Sequence, residues 1–184
     1  MALVDGLQLV HESASARIYL NEGYYPRAYA VPSAQIVANE TEALLALQAR
    51  PHTLGQTIIL ELEGQPAPPA TSGERWAGGE VLIEAYGLNE VRLTAVMSAA
   101  GFVVLSDTYY PGWQATLNGQ PTPIYRANSI VRAVFVPAGE HELIFTFWPA
   151  DFVIGAVAAT MGLGVVLIGL LVAVYTYSRH SVRL

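Results

Sequence analysis

Between Asp107 and Trp113 the chain sets one carboxylate and three aromatic rings, Asp107, Tyr109, Tyr110 and Trp113, within seven residues. Rings beside an acid are a common way to hold a sugar: the rings stack on the apolar face of the pyranose while the carboxylate accepts hydroxyl hydrogen bonds. Tyr125, Arg126 and Asn128 follow an Asn118-Gly119 turn, from which Arg126 can approach Asp107 in space. Asp107, Tyr109, Tyr110, Trp113 and Arg126 therefore form the candidate ligand-binding set. The residue types favour a structural use of the same side chains. In that use Trp113 and one tyrosine fill a β core, Pro111-Gly112 turns the chain, and Asp107 pairs with Arg126 or Arg132 across strands.

Other reactive constellations are weaker. Glu61 with Glu63, and Glu80 with Glu84, resemble the paired carboxylates of a glycosidase, but each pair sits at alternate positions of a strand and is expected to face water. His11, His52, His141 and His180 show no ligand spacing, so no metal is expected. No G-x-S-x-G motif is present, and the absence of cysteine removes thiol catalysis, Cys-ligated zinc and disulfides. No catalytic residue and no cofactor is assigned, and an autonomous hydrolase is not supported.

The elements that must position these residues follow from composition and pattern. Of 184 residues, 53% are hydrophobic and 13% charged, well under the roughly 25% charge of soluble domains. The net charge is −6 and all nine basic residues are arginines, which excludes a polyanion footprint and with it nucleic-acid binding. Residues 152–177 contain no charge, Asn, Gln, His or Pro. A helix of that length spans about 39 Å, more than the hydrocarbon layer of a bilayer. A transmembrane helix is expected there, with Tyr175 and Tyr177 at interfacial depth.

Residues up to Asp151 hold seven arginines and fifteen acids, a net −8, whereas the remainder holds Arg179 and Arg183, a net +2. The positive-inside bias then places the C-terminal tail, 178–184, in the cytoplasm and the bulk outside a cell membrane. The first twenty residues have no basic, apolar and cleavage regions of a signal peptide. The expectation is a tail of a larger polypeptide, or a separate subunit exported by its own C-terminal span. Ala158 and Gly162 form a small-xxx-small pair that would admit a partner helix. The Gly162-Leu163-Gly164 run follows no strand and is not read as a nucleotide loop.

Ahead of the span the pattern is mostly β. Alternating runs at 7–11 and 16–20 flank a turn at 12–15 and predict a hairpin, and 27–31 supplies a third strand. Asn39 and Glu42 form a capping box opening a helix over about 40–50, stopped by Pro51; the same cap explains the Asn39-Glu40-Thr41 sequon. A strand follows at 58–63. Residues 64–79 carry four Gly and three Pro and read as a linker or a long exposed loop. Six period-two runs follow, at 81–86, 91–98, 101–106, 114–117, 130–136 and 142–147, with Asn118-Gly119 as a type I′ turn. The predicted class is α+β and mainly β: a small α+β subdomain (1–63), the linker, an antiparallel β-sandwich (80–149) and one transmembrane helix. About three residues join the last strand to the span, which holds the sheet on the bilayer surface.

At 105–155 the order YYPGW, N-G, YRAN, PAGEH resembles the C-terminal region of the YfhO family of bacterial membrane proteins. IYLNEGYYPRAYAV (18–31), the acidic helix and IILE (58–61) resemble the segment preceding it. The resemblance implies an extracytoplasmic β-rich region and a last membrane helix that follow a multi-span part similar to GT-C glycosyltransferases, which use polyprenyl-phosphate sugars. This sequence lacks the multi-span part and its acidic loop, so no catalytic residue carries over.

Three functional readings result. The first is an interaction module, non-catalytic alone, that holds or gates an acceptor glycan or lipid-linked sugar. The second is a fragment sharing directly in glycosyl transfer, and the third an accessory subunit of a membrane complex. The expected partners are the lipid bilayer and other transmembrane helices or subunits.

Overall fold

The computed structural model describes residues 7–49, 55–71 and 75–181, and side chains to 174 except Ala150. Pro51, His52, Arg183 and the first six residues lie outside the described residues, as do the side chains of Tyr175, Tyr177, Arg179 and His180. Among the described residues, thirteen strands and two helices follow in chain order. The hairpin β1 (Leu7–Glu12) and β2 (Arg17–Asn21) forms a two-stranded sheet of its own. After β3 (Ala28–Val31) and β4 (Ser33–Val37), helix α1 (Glu40–Ala49) leads to β5 (Thr57–Glu61). Then come β6 (Gly79–Tyr86), β7 (Glu90–Met97), β8 (Gly101–Thr108), β9 (Trp113–Leu117), β10 (Gln120–Thr122), β11 (Tyr125–Ala127), β12 (Val131–Val136), β13 (Gly139–Phe147) and α2 (Ala150–Ser181).

A six-stranded sheet runs β3-β8-β12-β11-β5-β4 and a five-stranded one β10-β9-β13-β7-β6. They share a core in which Val103, Leu105, Val134 and Val136 from the first meet Val91, Leu93, Leu143 and Phe145 from the second. Strand β8 is buried on both faces: Val103 and Leu105 face that core, while Phe102 and Val104 join Val31, Ile58 and Leu60 in a second cluster. Period two makes this possible, since alternate side chains leave opposite faces of a strand.

Helix α1 begins where the capping box predicts. The Glu42 amide donates to Asn39 Oδ1 at 3.0 Å, and Glu42 Oε2 accepts from the Ala38 amide at 3.0 Å. The helix buries Ala43 against Val37 and Ile59. It joins β4 to β5, which pair in parallel, as a crossover connection allows. At the Asn118-Gly119 turn both central residues have positive φ, +50° and +77°. Asn118 adds a bond from the Glu142 amide to its Oδ1, 2.9 Å. Gly119→Val should cost about 1 to 2 kcal/mol through the left-handed conformation alone. Thermal unfolding checks this, and an unchanged midpoint contradicts it.

Two expectations meet a different topology. Strand β3 pairs with β8, and β5 with β11, so the lengths of chain before and after 64–79 contribute to one sheet rather than to separate units. Nor do the described residues of 64–79 run free of the sheets: Pro66 C=O accepts from Tyr125 Oη at 3.0 Å, and Trp76 packs on the shared core. Composition reports the Gly and Pro of an irregular path, which a loop fastened along the sheets needs as much as a linker does.

Helix α2 contains a 24-residue stretch, Asp151–Val174, of mean hydropathy 2.6, none of it buried against the rest of the chain. About 36 Å of helix results, enough to cross a bilayer.

Candidate functional site

Asp107, near the end of β8, is the centre of an ionic cluster. Its Oδ1 accepts from Arg27 Nε (3.1 Å) and Nη2 (2.9 Å), and its Oδ2 from Arg132 Nη2 and Tyr86 Oη, both at 2.9 Å. Arg132, on β12, is 2% exposed and lies 4.0 Å from the Trp113 ring centroid and 5.4 Å from that of Phe145. Its guanidinium thus crosses from the six-stranded sheet onto rings of β9 and β13. Burial lowers its pKa, opposed by the charge of Asp107. Burial also raises the Tyr86 pKa, helped by its bond to Asp107, while that carboxylate raises the pKa of Arg27. Among the described residues, Arg132 Nε and Nη1 have no hydrogen-bond partner, and the aromatic faces take that role.

Of the two arginines offered as partners for Asp107, Arg132 makes the pair and Arg126 does not. Arg126 Nη2 meets Glu63 Oε1 at 2.7 Å and its guanidinium stands 5.2 Å from the Tyr109 ring. Asn128 joins β5 instead, its Oδ1 accepting from the Ile59 amide at 3.0 Å.

Tyr109, Tyr110 and Trp113 do converge. They line a cleft of about 690 Å³ together with Gln65, Gln114 and Thr122. Asp107 is not among its lining residues; both its oxygens are engaged by the arginines and Tyr86. Trp113 and Phe147 have ring centroids 5.3 Å apart, and Tyr110 and Phe147 6.3 Å. Gly112 C=O accepts from the Trp148 amide at 2.8 Å, so the loop carrying the rings is fastened to the segment entering α2. The arrangement can stack a flat apolar face and meet hydroxyls with the two glutamines and Thr122. It contains no nucleophile paired with a base. Sequence reasoning missed Gln65 and the Arg27 and Tyr86 contacts, which only distant parts of the chain assemble, and also Gln114 and Thr122 on the neighbouring β9–β10 hairpin.

Glu61 departs from its expected solvated position. It is buried, Oε1 has no partner among the described residues, and Glu63 with positive φ ends the alternation. Burial raises the Glu61 pKa, and Arg126 acts in the opposite sense. The folded state therefore binds this proton up to a higher pH than the unfolded chain, and the contribution to stability falls as pH rises above the unfolded carboxylate value. Glu61→Gln should raise the unfolding midpoint where the unfolded carboxylate is ionised and shrink the loss of stability as pH rises above that carboxylate's ordinary range. An unchanged pH dependence in thermal melts contradicts this. Glu80 and Glu84 are exposed, as expected.

Residues 80–158 match the family model described as bacterial membrane protein YfhO. The matched YfhO region runs from β6 into the first turns of α2, and so contains the Tyr109–Trp113 loop, Arg132 and the sheet-to-helix junction. Over these residues the chain is similar to the YfhO family, and its apolar helix is long enough to cross a membrane. The upstream stretches at 18–31 and 58–61 lie outside the match. No curated protein and no solved structure matches the chain.

Proposed function

We propose that this chain is an extracytoplasmic β-rich module on a single membrane helix, non-catalytic alone, that holds a glycan acceptor or lipid-linked sugar for a YfhO-type glycosyl transfer. The observation that carries the reading is the aromatic cleft fastened by Gly112 and Trp148 to the root of α2. A sugar stacked on Tyr109, Tyr110 or Trp113 would be held close to the membrane, where a lipid-linked donor resides. The net −8 up to and including Asp151 and the +2 beyond it support the outward orientation.

The test is titration of the full chain in mild detergent with short oligosaccharides of glucose, galactose and N-acetylglucosamine, read by tryptophan emission. At least one should give a saturable change. Tyr110→Ala should weaken it roughly fivefold, equivalent to about 1 kcal/mol for one lost ring contact. No saturable change up to about 10 mM with any of the three removes the reading.

An accessory-subunit reading, in which the same chain packs in a larger membrane complex, is supported by the bare surface of α2. Cβ atoms built on Gly155, Gly162, Gly164 and Gly169 would meet nothing within 4 Å. A chain that purifies alone in mild detergent argues against it. Direct participation in transfer has no supporting group in the cleft.

A further inference from the structure

Strand register sends four connections to the end of the sheets from which α2 departs. Thr146 pairs with Glu90 and the Phe147 amide donates to Asn89 C=O, which brings the turn 87–89 there. Phe147 pairs with Trp113, so the loop 109–112 arrives at the same end. The Tyr109 amide donates to Ile130 C=O, which adds the turn between β11 and β12, and Trp148 leads into the helix.

Each connection carries a large apolar side chain into the open: Leu88 is 95% exposed, Tyr110 61%, Ile130 59% and Trp148 64%. At the opposite end, the turns 98–100 and 137–138 hold only Ser98, Ala99, Ala100, Pro137 and Ala138. Arginines of this half are engaged by acids: Arg27 by Asp107, Arg92 by Glu90, and Arg126 by Glu63.

We propose that Leu88, Tyr110, Ile130 and Trp148 insert into the interfacial layer of the bilayer that α2 crosses, docking the β domain on lipid through apolar and aromatic contact rather than charge. The occupant follows from continuity: Trp148 stands two residues before a helix long and apolar enough to span, and the other three side chains surround that exit. Tryptophan, tyrosine and aliphatic side chains at a helix root match the interfacial belt of membrane proteins. With the nearby cations already paired, anionic headgroups have little to attract. The proposal rests on α2 as a span and is independent of any glycan in the cleft.

The chain has no cysteine, so single nitroxide labels can be placed on the full protein. Leu88→Cys, Tyr110→Cys and Ile130→Cys report the docking end, Ala138→Cys the far end and Leu167→Cys the middle of α2. The labelled chains are reconstituted in vesicles of phosphatidylcholine alone or mixed with phosphatidylglycerol. Collisions with oxygen should exceed those with a water-soluble nickel chelate at 88, 110 and 130, and the reverse should hold at 138. The pattern should be the same in both lipids and survive about 1 M salt. Labels at 88, 110 and 130 that behave like 138, or that respond to phosphatidylglycerol, overturn the proposal. If 167 alone is oxygen-rich, the docking fails and the span stands. A nickel-accessible 167 overturns both.

Discussion

Alanine in place of Asp107 should destabilise the chain by about 3 to 5 kcal/mol, the cost of leaving a buried charge without its counterion. The stranded group is Arg132, 2% exposed, whose Nη2 donates to Asp107 and whose remaining nitrogens face rings. Arg27, by contrast, has a side chain 56% exposed, so water screens its half of the cluster. Arg27→Ala should therefore be mild. Asp107→Asn keeps an acceptor for Arg132 and Tyr86 and should fall between the two. The decisive variant is Asp107→Ala with Arg132→Met, which removes both charges while keeping a long apolar stem against Trp113 and Phe145. It should recover much of the loss, because burying a pair and burying nothing charged differ far less than burying one partner. Thermal unfolding of the full chain in detergent, followed by near-ultraviolet circular dichroism, reads the series. A double variant no more stable than Asp107→Ala would show that the cluster acts through packing rather than charge.

That cluster also marks where sequence reasoning reached and where it stopped. That Asp107 pairs with an arginine of the later strands was legible, because opposite charges there have few other partners, but the choice between Arg126 and Arg132 stayed open. Arg27 was not legible, being 80 residues away from Asp107 and brought to it only by the pairing of β3 with β8. Local chemistry explains the features that were read correctly: the Asn39 cap, the Asn118-Gly119 turn and the charge-free helix each depend on residues a few positions apart. Parallel pairing of β4 with β5 depends on a crossover whose strands carry no mutual signal. Glu61 misled for a related reason. Alternation with Glu63 holds only while the strand continues, and β5 ends at Glu61, where β11 covers it. Of the candidate set, Tyr109, Tyr110 and Trp113 stayed together at the cleft with Arg126 over the Tyr109 ring and paired with Glu63, whereas Asp107 turned to Arg27, Arg132 and Tyr86.

The same loop makes Gly112→Ala the second large effect. Gly112 has φ +101°, a region that a side chain adopts at a cost of about 1 to 3 kcal/mol. A Cβ there would stand 3.1 Å from Phe147 Cε2 and 3.1 Å from Pro149 Cα. The ring can shift slightly, but Pro149 is backbone held by the Trp148 amide bond to Gly112 C=O itself. Relief must therefore come from opening that bond, and the combined loss should be about 2 to 4 kcal/mol. The consequence is local as well as global. Once the loop lifts, Tyr110 loses its position beside Phe147, the cleft loses one wall, and the β domain keeps only its covalent link to α2 at this point. Hydrogen exchange at the Trp148 amide should accelerate more than at the core amides of β8, which depend on global unfolding. If the variant melts with the parent and the Trp148 amide stays protected, the loop is not clamped to the helix root, and the cleft's placement near the membrane loses its mechanical basis.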